Sequence, residues 1–220
     1  MIREIGTGEN EEAGVEAQKY KIYGRAGSGS DIPQMLLEEI GAPYELIRVG
    51  REKADVEAYR RITQTDKVPA LTTPGGATIF ESAAICMLLA DLHPEARLAP
   101  PPGTEQHGRF LQWLIYLAAN LYECARRIYY PQTYGGEAAA DVVKQRALHD
   151  FPELISPLVP SLRPYVLGKE ISAVDFYLYV VGGWLPEGRG PIHSRWPAVA
   201  KHSGLLAERA SVRKVEAQQT

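Results

Sequence analysis

The chain has 220 residues, a formal net charge of −3 at pH 7 and 45% hydrophobic residues. A globular chain of this size buries roughly 70% of its unfolded surface, so it needs no disulfide or metal to fold. The slight negative charge, without any dense run of lysine or arginine, argues against nucleic-acid binding, and no apolar stretch is long enough to span a membrane.

The N-terminal segment, residues 1–18, is acidic, contains glycine and lacks the apolar core of a secretory signal. We interpret it as a mobile extension. The two cysteines, Cys86 and Cys124, each lie in a helical apolar pattern, which predicts buried reduced thiols. The five histidines show no metal-ligand spacing, so we predict no metal. We also expect a cytoplasmic setting.

Residues 19–93 alternate strand and helix patterns. A strand over "YKIY" precedes the turn-forming "GRAGSGSD", and "IPQMLLEEIG" reads as a helix that Ser30 or Asp31 can cap and Gly41 ends. The later segments are strand "YELIRV", helix "ADVEAYRRIT", strand "PALTT", turn "PGG", strand "ATIF" and helix "ESAAICMLLADLH". The order β-α-β-α-β-β-α predicts a mixed sheet with helices on its faces.

A proline-rich connector over residues 94–104 marks the predicted domain boundary. Residues 105–220 show helical patterns and almost no strand signal. A long helix is predicted from Glu105 to Tyr130, a second with proline bends over 137–168, a third over 171–185 and a final amphipathic helix over 197–218. Ser172 and Asp175 match a capping box at the start of the third helix.

The stretch "KVPALTTPGGATIFESAAI" combines two features that suit a peptide ligand. Pro69 opens a strand, and a cis bond before it would turn the amide and carbonyl of Val68 outward, where an extended peptide can pair with them. Glu81 and Ser82 begin a helix, where unpaired N–H groups suit a carboxylate and Glu81 can accept from an ammonium. A plain helix start with an acidic first turn is the alternative.

These motifs resemble those of the cytosolic glutathione transferase superfamily. "KVPAL" and "ESAAI" are similar to its glutathione-binding signatures, and "ISAVDF" is similar to the helix-capping motif of its C-terminal domain. The resemblance covers residues 20–215 and is to a bacterial-type member with a serine-like active site. It implies an α/β thioredoxin-like N-terminal domain, an all-α C-terminal domain, glutathione as co-substrate and a homodimer.

The resemblance also implies roles for matching residues. Val68 would pair with the cysteinyl backbone of glutathione, Pro69 would be the cis-proline, and Glu81 and Ser82 would hold the γ-glutamyl group. The cations that would meet the glycyl carboxylate are Lys67 and, as further candidates, Lys53 and Arg51, for which an exposed charge is the alternative.

Family members stabilise the glutathione thiolate with a Tyr, Ser or Cys just after the first strand. In this chain the hydroxyl candidates there are Ser28 and, as the alternative, Ser30, which is also placed to cap the helix. A hydroxyl that donates to sulfur favours the thiolate, the nucleophile for conjugation. Backbone N–H groups of the glycine turn can share or replace this role.

The pocket for the second substrate would lie between this turn and the first long helix of the C-terminal half. Its candidate residues are Tyr122 and Arg126, which share a helix face, and Tyr116. Core packing is the alternative for all three. The expected function is therefore a glutathione transferase acting on a small hydrophobic electrophile in detoxification. The alternatives are a glutathione-dependent isomerase, dehalogenase or etherase, and a non-catalytic ligand-binding or regulatory protein of the same fold.

Overall fold

The computed structural model describes residues 19–218, so the extension predicted over residues 1–18 lies outside the described residues. Within residues 19–218, no helix is both long and apolar enough to cross a bilayer.

The first half of the structure is built on one four-stranded mixed sheet with the strand order β2-β1-β3-β4. The strands are β1 (Tyr20–Gly24), β2 (Tyr44–Arg48), β3 (Ala70–Thr72) and β4 (Thr78–Phe80). β1 pairs parallel with β2 and antiparallel with β3, while β3 and β4 form the predicted hairpin. The mixed pairing follows from the helical crossover between β1 and β2 and the short turn between β3 and β4.

Three helices pack with this sheet: α1 (Asp31–Ile40), α2 (Lys53–Thr63) and α3 (Ser82–Leu92). Gly41 ends α1 in the left-handed conformation, as expected for a helix C-terminus. The predicted side-chain cap by Ser30 is absent, because its hydroxyl instead donates to the carbonyl of Arg25 at 3.1 Å. Ser30 therefore fixes the turn before α1.

The second half is helical. Its helices are α4 (Glu105–Tyr116), α5 (Glu123–Tyr129), α6 (Gln132–Ile155), α7 (Ala173–Gly182), α8 (Gly190–Arg195), α9 (Pro197–Ala207) and α10 (Ala210–Ala217). A π-helical segment, Leu117–Tyr122, joins α4 to α5, so the long helix predicted there is continuous but locally wider. A 3₁₀ segment, Ser156–Ser161, follows α6. The predicted combination of a thioredoxin-like α/β half and an all-helical half is confirmed.

The two halves share a continuous apolar core that includes Ile22 of β1, Leu89 of α3, Phe110 of α4 and Phe176 of α7. A smaller cluster on the other side of the sheet packs Tyr59 of α2 against the strands. Such a shared core fixes the position of the helical half relative to the sheet, and therefore the shape of any cleft between them.

The predicted capping box at the start of α7 is present and extended. The fully buried Asp175 carboxylate accepts from the backbone N–H of Ser172 at 2.8 Å, from the Ser172 hydroxyl at 2.9 Å and from the Val166 N–H at 2.8 Å. The buried His202 ring of α9 also bonds to it at 3.0 Å. This carboxylate therefore joins three segments of the helical half in addition to capping one helix.

The prediction of a single final helix is wrong, because the chain bends between α9 and α10. Arg209 has an extended backbone there, with φ −73° and ψ 140°. Its guanidinium donates to Glu39 of α1, with Nε at 2.7 Å from Oε1, and the Ser211 hydroxyl donates to the same carboxylate. The bend lays α10 against α1, a contact that a local helical pattern cannot reveal.

Candidate functional site

A cavity of about 660 Å³ lies between the two halves. One wall comes from the turn after β1, the loop before β3 and the start of α3, and its lining residues are Arg25, Ala26, Gly27, Ser28, Arg51, Thr65, Asp66, Lys67, Val68, Pro69, Phe80, Glu81 and Ser82. The other wall is helical, and its lining residues are Ala118, Tyr122, Glu123, Ala125, Arg126, Tyr129, Tyr130, Thr133, Tyr177 and Trp184. The first wall is mainly polar and the second largely aromatic.

The Val68–Pro69 corner lies in this cavity. The peptide bond between the two residues is cis, as predicted. The preceding loop is held by the buried Tyr59, whose hydroxyl donates to the Lys67 carbonyl at 3.0 Å. Val68 is half-buried, directly precedes the strand entry and lines the cavity.

Glu81 and Ser82 begin α3 on the same wall. Glu81 is exposed and has φ 71° and ψ 111°, a conformation that residues with a side chain rarely adopt. Backbone strain of this kind concentrates at binding and catalytic sites. Ser82 is buried, and its hydroxyl lies 2.8 Å from that of Tyr177. When Tyr177 donates to Ser82, the serine keeps its own proton for a ligand carboxylate.

The turn after β1 carries a network of hydroxyl groups. The Ser28 hydroxyl donates to the Arg25 carbonyl at 2.8 Å, and its oxygen lies 2.9 Å from that of Ser30. Ser28 lines the cavity, whereas Ser30 is fully buried and does not. The Arg25 guanidinium donates to the carbonyls of Val49 at 3.2 Å and Gly50 at 3.3 Å, which ties the turn to the loop after β2.

The structure places two of the three predicted cations at the cavity and the third outside it. Lys67 and Arg51 line the cavity, and no carboxylate of a described residue lies within ion-pairing distance of either. Lys53 does not line it: its side chain is 90% exposed and approaches Glu57 one turn along α2 at 3.9 Å. The cationic edge of the cavity is therefore formed by the loops on either side of α2.

The helical wall contains two of the three residues predicted for the second pocket. Tyr122 and Arg126 line the cavity, with Arg126 lying 3.8 Å from Glu123. Tyr116 does not line it; its hydroxyl donates to the Leu154 carbonyl at 3.0 Å and its ring packs against the core. The alternative of core packing therefore describes Tyr116.

Tyr177 and Trp184 also reach the cavity, although no motif in the sequence indicates a binding role for either. Tyr177 lies in α7, whose continuous apolar pattern indicated only core packing, and Trp184 follows that helix. The Trp184 ring meets the Tyr122 ring edge to face, with centroids 4.9 Å apart. Burial raises the pKa of Tyr122 to about 12 and that of Tyr177 well above its ordinary value. Both hydroxyls are thus protonated near neutral pH.

A family model supports the same reading of the first half. Residues 30–92 match the model described as glutathione S-transferase, N-terminal domain. Over 193 residues the chain is 29% identical to the GST-like protein YncG of Escherichia coli strain K12, a match that covers 86% of this chain and 90% of that protein.

Solved structures share the fold over nearly their full length. The beta class glutathione S-transferase of the bacterium Sphingomonas chungbukensis is 28% identical, with a TM-score of 0.77 over 90% of this chain and 98% of that one. A sphingomonad glutathione S-transferase complexed with glutathione is also 28% identical, with a TM-score of 0.73 over the same shares. Its signature motifs, its two-part architecture and these similarities support a bacterial-type member of the cytosolic glutathione transferase superfamily.

Proposed function

We propose that this protein is a glutathione transferase, in which the thiolate of bound glutathione attacks a small hydrophobic electrophile. The observation that carries the proposal is the convergence of the Val68–Pro69 corner and the Glu81–Ser82 helix start on one cavity. A related sphingomonad enzyme was solved with glutathione bound, which supports glutathione as the ligand.

Glutathione fits the polar wall group by group. The Val68 backbone would pair with the cysteinyl residue, as an added strand does. The Ser82 hydroxyl and the start of α3 would receive the γ-glutamyl carboxylate, while Glu81 would accept from the ammonium. Lys67 and Arg51 would meet the glycyl carboxylate, since both cations line the cavity.

The reaction follows from the thiolate. The thiol releases its proton to solvent, the sulfur forms a bond to an electrophilic carbon, and a leaving group such as halide departs with its electron pair. The aromatic side chains Tyr122, Tyr129 and Trp184 would surround the apolar electrophile. Among the hydroxyl groups of the turn after β1, that of Ser28 lines the cavity. It is the group predicted from the sequence to stabilise the glutathione thiolate.

Two measurements test this function. Calorimetric titration with millimolar glutathione is expected to release heat, and turnover of an aryl halide is expected to depend on glutathione. Absence of heat would refute glutathione binding and favour the non-catalytic alternative. Heat without turnover of aryl halides would favour isomerase, dehalogenase or etherase chemistry at the same site. Ser28→Ala should slow the reaction if the serine activates sulfur.

The quaternary structure belongs to the same proposal. We propose a two-fold homodimer in the cytoplasm, with α3 near the interface. Leu92, at the end of α3, is 50% exposed although it is large and apolar. Sedimentation analysis is expected to give twice the mass of the chain, and a monomer over the whole concentration range would contradict the dimer.

A further inference from the structure

The space beside Gly29 is occupied by a tyrosine from the other half of the protein. A Cβ atom added to Gly29 would lie 2.6 Å from the hydroxyl oxygen of Tyr122 and 2.8 Å from its ring. No side chain therefore fits at position 29 unless Tyr122 moves. The phenolic oxygen lies where the first atoms of such a side chain would be, directly after Ser28 in the turn that follows β1.

The ring of Tyr122 is held in this position by aromatic contacts. Trp184 meets it edge to face at 4.9 Å, and Tyr177 lies at 6.4 Å between ring centroids. Tyr122 itself stands at the end of the π-helical segment, which is part of the helical wall. The hydroxyl is thus placed by the packing of the helical half against the first half.

The hydroxyl groups of Tyr122 and Ser28 differ in whether a neighbouring group accepts their proton. The Ser28 proton is donated to the Arg25 carbonyl at 2.8 Å, so turning it toward a ligand would break a bond that shapes the turn. The Tyr122 oxygen receives a backbone hydrogen bond from Gly29, and no described residue accepts the Tyr122 proton. Tyr122 and Ser28 both line the cavity, so a ligand that reaches the turn after β1 can accept this proton.

We propose that the Tyr122 hydroxyl, in the space beside Gly29, is a catalytic group that donates a hydrogen bond to the glutathione sulfur. The inference rests on the proposed function and deepens it. A donor to sulfur stabilises the thiolate over the thiol, whose proton leaves to solvent. Tyr122 keeps its own proton throughout, and the sulfur then attacks the electrophile as described above. Ser28 and Ser30 hold the turn against which the sulfur lies.

The direct test is Tyr122→Phe, which removes one oxygen and keeps the ring that packs on Trp184. The thiolate of bound glutathione is titrated by its ultraviolet absorbance, and kcat/KM with an aryl halide is measured against pH. Loss of the donor should raise the thiol pKa, so that the thiolate fraction and kcat/KM at neutral pH fall by about tenfold or more. The rate should recover at alkaline pH. The matched control is Tyr116→Phe, whose hydroxyl lies outside the cavity and which should titrate like the wild type.

A second variant tests the position of the hydroxyl. Gly29→Ala should displace Tyr122 and raise the thiol pKa with the tyrosine still present. The double variant should have nearly the same thiol pKa as Tyr122→Phe alone, because both changes act through the Tyr122 hydroxyl.

The outcomes separate the inference from the proposed function. If wild type binds no glutathione, both fail. If wild type binds and reacts but Tyr122→Phe titrates like Tyr116→Phe, the function stands and the role of Tyr122 is refuted. A raised thiol pKa in Ser28→Ala, with none in Tyr122→Phe, would also refute it and assign the sulfur to the serine.

Discussion

The hydroxyl groups of Ser82 and Tyr177 lie 2.8 Å apart and join the first turn of α3 to α7 of the helical half. Ser82 is separated from Tyr177 by 95 residues in the chain. Ser82 belongs to the motif "ESAAI", which the sequence reveals. Tyr177 lies in α7, whose apolar sequence gives no sign of a binding role. The pair therefore couples the proposed γ-glutamyl site to the packing of the second half.

Removing either hydroxyl should weaken glutathione binding, with Ser82→Ala the more harmful change. Loss of a direct hydrogen bond to a carboxylate should raise Kd by about tenfold, roughly 1.4 kcal/mol. Tyr177→Phe should have a smaller effect, because it leaves the serine in place but no longer oriented. Calorimetric titration of both variants measures this. Equal affinity of Ser82→Ala and wild type would show that the serine does not touch the ligand.

The charge of Glu81 should matter more than its size. Glu81→Gln keeps the side-chain volume but removes the anion proposed to receive the ligand ammonium, so Kd for glutathione should rise by about tenfold. An analogue of glutathione without its amino group should bind both proteins equally. If Glu81→Gln raises Kd for the analogue as much as it raises Kd for glutathione, the carboxylate has another role.

The cationic edge of the cavity can be tested with a control from the same region. Lys67→Ala and Arg51→Ala should each raise Kd by roughly fivefold, about 1 kcal/mol for an exposed charge, and the loss should shrink at high salt. Lys53→Ala removes a cation that lies near Glu57 outside the cavity and should leave Kd unchanged. A stronger effect of Lys53→Ala than of Arg51→Ala would reverse this assignment.

The buried carboxylate of Asp175 should dominate the stability of the helical half. Asp175→Ala would leave the donors of Ser172, Val166 and His202 without their shared acceptor, at a cost of about 3–5 kcal/mol. Urea unfolding measures the change in the free energy of unfolding. Asp91→Ala, an exposed aspartate on α3, is the control and should change it by less than about 0.5 kcal/mol. Similar losses in both variants would contradict the role of the network.

The contact between α1 and α10 should depend on pH through Glu39. Burial acts to raise the pKa of this carboxyl, but hydrogen bonds from Arg209 and Ser211 and the charge of Arg209 hold it below its ordinary value. A lowered folded-state pKa means that the stabilisation is complete above the unfolded pKa and is lost as pH falls through the folded one.

Glu39→Gln should therefore lower the free energy of unfolding by roughly 1–2 kcal/mol at neutral pH, with the difference closing under acidic conditions. Glu57→Gln removes a surface carboxylate that lies 3.9 Å from Lys53 and should have little effect at any pH. A Glu39→Gln deficit that persists unchanged in acid would show that packing, not ionisation, is responsible.

The sequence by itself determined the features that depend on neighbouring residues. Periodicity gave the order of strands and helices, "KVPAL" and "ESAAI" located the polar wall, and Ser172 and Asp175 predicted the cap of α7. These signals are local because capping, turns and strand entry each involve a few consecutive residues.

Only the tertiary structure decided which side chains meet across the cavity. Tyr177 reaches the polar wall from a helix whose sequence indicates no more than an apolar face. Tyr122 lines the cavity as predicted, while Tyr116, on the same continuous helix, faces the core. Counting at 3.6 residues per turn already puts these two tyrosines on different helix faces, and the π-helical segment Leu117–Tyr122 changes the angle between them. Likewise the bend at Arg209 depends on Glu39, which is 170 residues away. Such contacts arise from the packing of distant elements around a shared core, and no local pattern encodes them.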